Sequence, residues 1–86
     1  MKPTRITNLG LIAYLQTQGY FPFKKEQVRA SGHFLYFFFE SSPELSEEIE
    51  KYLSGKALVD AQALITQFIN VKNLVRDMRS REVDHE

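Results

Sequence analysis

The chain has 86 residues, 43% of them hydrophobic, and its eleven basic residues are balanced by eleven acidic ones. That length holds one small domain with no room for a second, and a formal charge of zero gives no gross electrostatic case for nucleic acid. The lack of cysteine excludes a disulfide framework and a thiolate zinc site, and no run approaches the roughly 18 apolar residues of a membrane span.

Met1-Lys2-Pro3-Thr4-Arg5 leads into a short mixed segment that does not read as a signal peptide. Residues 9–18 read as a short helix, with Thr7 or Asn8 capping its first amides and Gly19 taking the left-handed position past its end. Gly10 weakens that helix by about 1 kcal/mol relative to alanine and suggests a close backbone approach. Residues 20–28 read as a strand with Pro22 near its start, which favours a sheet edge. Arg29-Ala30-Ser31-Gly32 is the expected hairpin turn, and His33 to Glu40 the return strand.

That return strand is the most unusual stretch of the chain. Alternation puts Leu35, Phe37 and Phe39 on one face and Phe34, Tyr36 and Phe38 on the other, so both faces are apolar. Ser42-Pro43-Glu44 then starts a second helix by a serine cap, a proline at the first helical position and an acid facing the positive helix end. Leu45, Ile49, Tyr52 and Leu53 form its buried stripe, and Ser54-Gly55 ends it. Lys56-Ala57-Leu58-Val59 is an extended link with the composition of a minor third strand. Asp60 caps a long last helix expected to end near Arg79, leaving residues 80–86 as a flexible tail. Ala61, Leu64, Phe68, Val71, Val75 and Met78 follow spacings of three and four, a coiled-coil-like seam that Ile65 and Ile69 widen.

The expected fold is therefore α+β, a single small domain over residues 1–79 in the order helix, β-hairpin, helix, long helix. Catalytic residues are not evident. His33 and His85 are the only histidines, and Ser31 or Ser41 near His33 would lack a third group to complete a nucleophilic set. Glu44, Glu47, Glu48 and Glu50 read as a solvated helix face, with no metal expected. None of the four glycines belongs to a phosphate-binding loop, so no cofactor is expected.

The remaining feature is apolar surface. The long seam outruns the hairpin, so Val75 and Met78 are expected to lack an intramolecular cover and to pack on a second copy. Phe34, Tyr36, Phe38, Leu74, Val75 and Met78 are the expected protein interface. The alternative is a nucleic-acid surface built from Lys24, Lys25 and Arg29 on the hairpin and Lys72, Arg76 and Arg79 on the last helix.

Leu11-Ile12-Ala13-Tyr14-Leu15-Gln16, the aromatic strand at residues 34–40 and Val59-Asp60-Ala61 opening a long helix together resemble a family of short proteins of bacteria, phages and mobile elements with no assigned activity. The resemblance covers most of residues 6–79 and rests on structural motifs. It implies a small accessory protein acting on larger machinery. The expectation is a non-enzymatic protein-binding accessory factor or inhibitor, cytoplasmic, acting as a dimer, with nucleic-acid binding as the alternative and no membrane association.

Overall fold

Asn8, Ser42 and Asp60 each open a helix by giving a side-chain oxygen to an amide that the helix itself leaves unpaired. In the computed structural model, which describes residues 2–28 and 34–84 and the side chains of 2–26 and 35–78, helix α1 (Leu9–Thr17) begins with the Leu11 amide donating to Asn8 Oδ1 at 3.0 Å. Helix α2 (Pro43–Leu53) begins with the Leu45 amide donating to Ser42 Oγ at 3.0 Å. Helix α3 (Ala61–Asp84) begins with the Ala63 amide donating to Asp60 Oδ2 at 2.9 Å. Gly19, with φ of 91°, lets the chain leave α1 through the left-handed region.

The described strands form one antiparallel sheet in the order β1-β3-β2, with β1 at Thr4–Ile6, β2 at Lys24–Val28 and β3 at Phe34–Phe39. The α+β class holds. Two strand assignments change. Thr4–Ile6 was not read as a strand, yet it pairs with β3 from Thr4↔Phe39 to Ile6↔Phe37, so β3 is central rather than half of a lone hairpin. The segment before β2 is not strand. The Tyr20 amide donates to Leu15 O at 3.0 Å, closing the end of α1, and the ladder is entered only when the Phe23 amide reaches Phe38 O at 2.9 Å. Pro22 lies between them, where no amide is needed. β2 is an edge strand. Lys56-Ala57-Leu58-Val59 pairs with no strand among the described residues. The expected turn Arg29-Ala30-Ser31-Gly32 and the expected strand start at His33 lie outside the described residues.

The aromatic strand keeps its alternation. Leu35, Phe37 and Phe39 are buried and join Ile6, Leu11, Ile12, Tyr14 and Leu15 in one core cluster, to which α2 adds Leu45 and α3 adds Val71 and Val75. All three helices reach this cluster, whereas Tyr36 and Phe38 are half-buried and do not belong to it. The described part is therefore a helical layer on one face of a sheet whose other face is open. α1 and α3 run antiparallel, with Leu9 beside Val75 and Arg76 and with Gln16 and Thr17 beside Gln67 and Asp60.

Two further expectations are corrected. Val75, expected to want an outside partner, is 9% exposed and sits in the chain's own core because α1 lies along this part of α3. The backbone of α3 continues through Asp84 into the segment read as a tail. Extending an existing helix adds one hydrogen bond per residue without a new nucleation cost.

Gly10 meets a side chain rather than a backbone. A Cβ there would overlap the Tyr52 hydroxyl, and Tyr52 is half-buried with its ring 5.6 Å from that of Tyr14. Alanine would gain about 1 kcal/mol of helix propensity but overpack this contact at a cost of about 1–3 kcal/mol. Gly10→Ala is expected to lower stability by about 1 kcal/mol in urea unfolding and to raise it once Tyr52→Phe has removed the hydroxyl. The same effect in both backgrounds would show that the two residues do not meet.

Candidate binding surfaces

The open face of the sheet is built by register. Arg5, Phe38 and Lys24 are paired across the three strands, and Tyr36 pairs with Glu26. Paired residues share a face, so Arg5, Lys24 and Glu26 surround the two rings of the central strand. The Arg5 guanidinium lies over Tyr36 at 4.5 Å from the ring centroid, and the Lys24 ammonium over Phe38 at 5.3 Å. Lys24 also reaches Glu26 at 3.4 Å. Arg5 was missed as a site residue because its strand was missed. The alternation of Thr4-Arg5-Ile6 is a signal only three residues long.

A second surface runs along α3. Leu64, Val71 and Val75 face the core, with Leu74 and Met78 half-buried against it. The residues beside them do not: Ile65, Phe68 and Ile69 are 58%, 37% and 50% exposed. Their offsets place them on one helix face, and the Lys72 ammonium lies 5.6 Å from the Phe68 centroid at its end. Leu58, just ahead of the Asp60 cap, is almost wholly exposed as well.

Of the six expected interface residues, Tyr36 and Phe38 share the open sheet face, Leu74 and Met78 pack on the core from α3, and Val75 is inside it. The Phe34 backbone pairs with Val28 in the ladder, and its side chain lies outside the described set. The expected basic residues do not share one surface. Lys24 is on the open sheet face, Lys25 is exposed in the register row of the inward-facing Phe37, and Lys72 and Arg76 border a hollow beside Leu9 on the helical layer. Arg29 and the side chain of Arg79 lie outside the described residues.

The catalytic and metal questions have short answers. His33, Ser31 and His85 lie outside the described residues. Ser41 Oγ donates to Lys2 O at 2.6 Å and meets Thr4 Oγ1 at 2.6 Å, a structural tie to β1. Among the described residues no three His, Cys, Asp or Glu side chains are grouped to hold a metal ion. A hollow of about 280 Å³ lies between Tyr20, Phe21, Phe23 and residues 40–42, and a shallow one of about 480 Å³ lies between the end of α1 and the start of α3 beside Gln16, Thr17, Asp60 and Gln67.

Among the described residues one polar group is strongly perturbed. Tyr14 is buried, and its hydroxyl donates to Glu48 Oε1 at 2.6 Å. Burial, and then the hydrogen bond and charge of Glu48, push its pKa up to about 12. Lys51 lies 3.6 Å from the same carboxylate. With Tyr14 closed off from solvent, the group acts as a clasp between α1 and α2.

A family model described as a domain of unknown function, DUF5659, matches residues 1–77. Neither a curated protein nor a solved structure matches the chain.

Proposed function

We propose that this chain, which belongs to the DUF5659 family, is a small protein-binding accessory factor or inhibitor, not an enzyme, and that it acts as a dimer joined through α3. The reading extends to a bacterial or phage origin, which the resemblance over residues 6–79 suggests, and to a cytoplasmic site of action, which the lack of cysteine fits.

The observation that carries it is the run of Ile65, Phe68 and Ile69 on the solvent side of α3. Single exposed apolar residues are ordinary, but a contiguous stripe marks a contact surface. A second copy suits this stripe because a short apolar run on one helix face can cover its own counterpart. An antiparallel pair with its two-fold axis between Thr66 and Gln67 sets Ile65 of each copy against Phe68 of the other. Such a contact is self-complementary, as a two-fold interface requires.

Sedimentation equilibrium tests the proposal. The parent is expected at twice the monomer mass at micromolar concentration. Ile65→Asp/Ile69→Asp is expected at monomer mass with an unchanged circular dichroism spectrum, because both side chains are exposed. A monomeric parent, or a variant that stays dimeric, overturns the pairing.

A further inference from the structure

We infer that the open face of the sheet is a stacking platform for single-stranded nucleic acid, with Tyr36 and Phe38 taking two successive bases and Arg5 and Lys24 the flanking phosphates. This site is separate from the α3 stripe and does not rest on it.

The arrangement begins with the strand. Tyr36 and Phe38 are two residues apart on the central strand, which sets them about 7 Å apart along it. They stand on the same face, and all three helices pack on the opposite one. A flat base can lie on each ring, and such stacking tolerates any base because every base has a π-face.

The cations come from both neighbouring strands and already lie on the rings, Arg5 on Tyr36 at 4.5 Å and Lys24 on Phe38 at 5.3 Å. Their long side chains cover the rings in the free protein, which accounts for the rings being half-buried. A base entering there displaces them, exchanging an exposed cation–π contact for the stronger base–aromatic stack. The displaced guanidinium and ammonium then remain beside the base, where its phosphates run.

A cation lying over each ring favours a polyanion over a protein at this face. Around the two rings Arg5 and Lys24 stand beside Glu26, which lies 3.4 Å from Lys24, and exposed Glu40 follows two residues past Phe38. The exposed acids Glu44, Glu47 and Glu50 belong to α2, whose Leu45 packs on the other side of the sheet. Cations thus reach this aromatic face from both flanking strands. Arg5 and Lys24 are placed for phosphate, and the two rings offer stacking faces rather than edge contacts, so DNA and RNA single strands of one sequence should bind alike. A duplex, whose bases already stack on one another, should bind far more weakly.

Fluorescence anisotropy with labelled oligo-dT and oligo-U single strands and a blunt duplex, at about 50 mM salt, tests this on the full chain. Micromolar binding of both single strands is expected, weakening with salt by a log–log slope of about 0.7 for each phosphate neutralised. Tyr36→Ala and Phe38→Ala should each weaken it about tenfold, Tyr36→Phe should not, and Arg5→Gln/Lys24→Gln should flatten the salt slope. Ile65→Asp/Ile69→Asp should leave oligonucleotide binding in place, so failure of the dimer and failure of this site read separately. The proposal is overturned by a parent that binds no single strand at high micromolar protein, by equal binding of the duplex, or by an unchanged slope in the folded Arg5→Gln/Lys24→Gln variant. Loss of dimer mass in Tyr36→Ala or Phe38→Ala would make this face a protein contact instead, and overturns it equally.

Discussion

Phe37→Ala is expected to leave the chain largely unfolded at room temperature. Phe37 is fully buried at the centre of β3, paired with Ile6 on one side and Lys25 on the other. Truncating a buried phenylalanine costs about 3–5 kcal/mol, from lost apolar transfer and the cavity left behind. Domains of this size hold about 0.05–0.15 kcal/mol per residue, hence about 4–13 kcal/mol, and small ones tend to the low end. The substitution therefore removes much or all of the available stability. Phe37→Leu keeps most of the volume and should retain a cooperative urea transition at a lower midpoint. A Phe37→Ala protein that unfolds at the parent's midpoint would mean that this side chain is not in the core.

Glu48→Ala is the second large effect. It strands the Tyr14 hydroxyl, a buried donor whose partner is the Glu48 carboxylate at 2.6 Å. An unsatisfied buried group costs about 1–3 kcal/mol. Tyr14→Phe should cost less, because Glu48 is only half-buried and keeps Lys51 at 3.6 Å. The pair also predicts an alkaline response. The folded protein holds the Tyr14 proton up to about pH 12, while the unfolded chain releases it near pH 10. Its stabilising contribution is thus complete below pH 10 and is lost as pH rises to about 12. Urea midpoints across that window should fall more steeply for the parent than for Tyr14→Phe, and identical slopes would contradict the pairing.

What the sequence disclosed followed from how local each signal was. Ser42-Pro43-Glu44 begins α2 and Asp60 begins α3 because capping depends on a few adjacent residues. β1 went unread because three residues carry too little alternation, and its pairing with Phe37 and Phe39 is set by a contact more than thirty positions away. Tyr20, Phe21 and Phe23 resembled strand because aromatics favour it, but the end of α1 claims the Tyr20 amide.

The α3 surface shows a different limit. Its apolar residues form two adjacent stripes, and either could face inward at helical spacing. The position of α1 decides between them, burying Val71 and Val75 and leaving Ile65, Phe68 and Ile69 outside. Periodicity identifies an apolar face but cannot say which of two overlapping faces a neighbour will cover. The cations over Tyr36 and Phe38 were likewise only partly legible, since Lys24 was noticed and Arg5 awaited the strand that carries it.

The central place of β3 has a consequence for how safely this polypeptide can be handled. Phe34-Leu35-Tyr36-Phe37-Phe38-Phe39 has the length, aromatic content and lack of charge typical of segments that seed cross-β fibrils. Its hydrogen-bonding edges are sealed by β1 on one flank and by the lysine-bearing β2 on the other. β1 supplies only three residues of that seal. Proteolytic trimming ahead of Thr7 would remove it and bare half of the phenylalanine strand as an open template for strand addition.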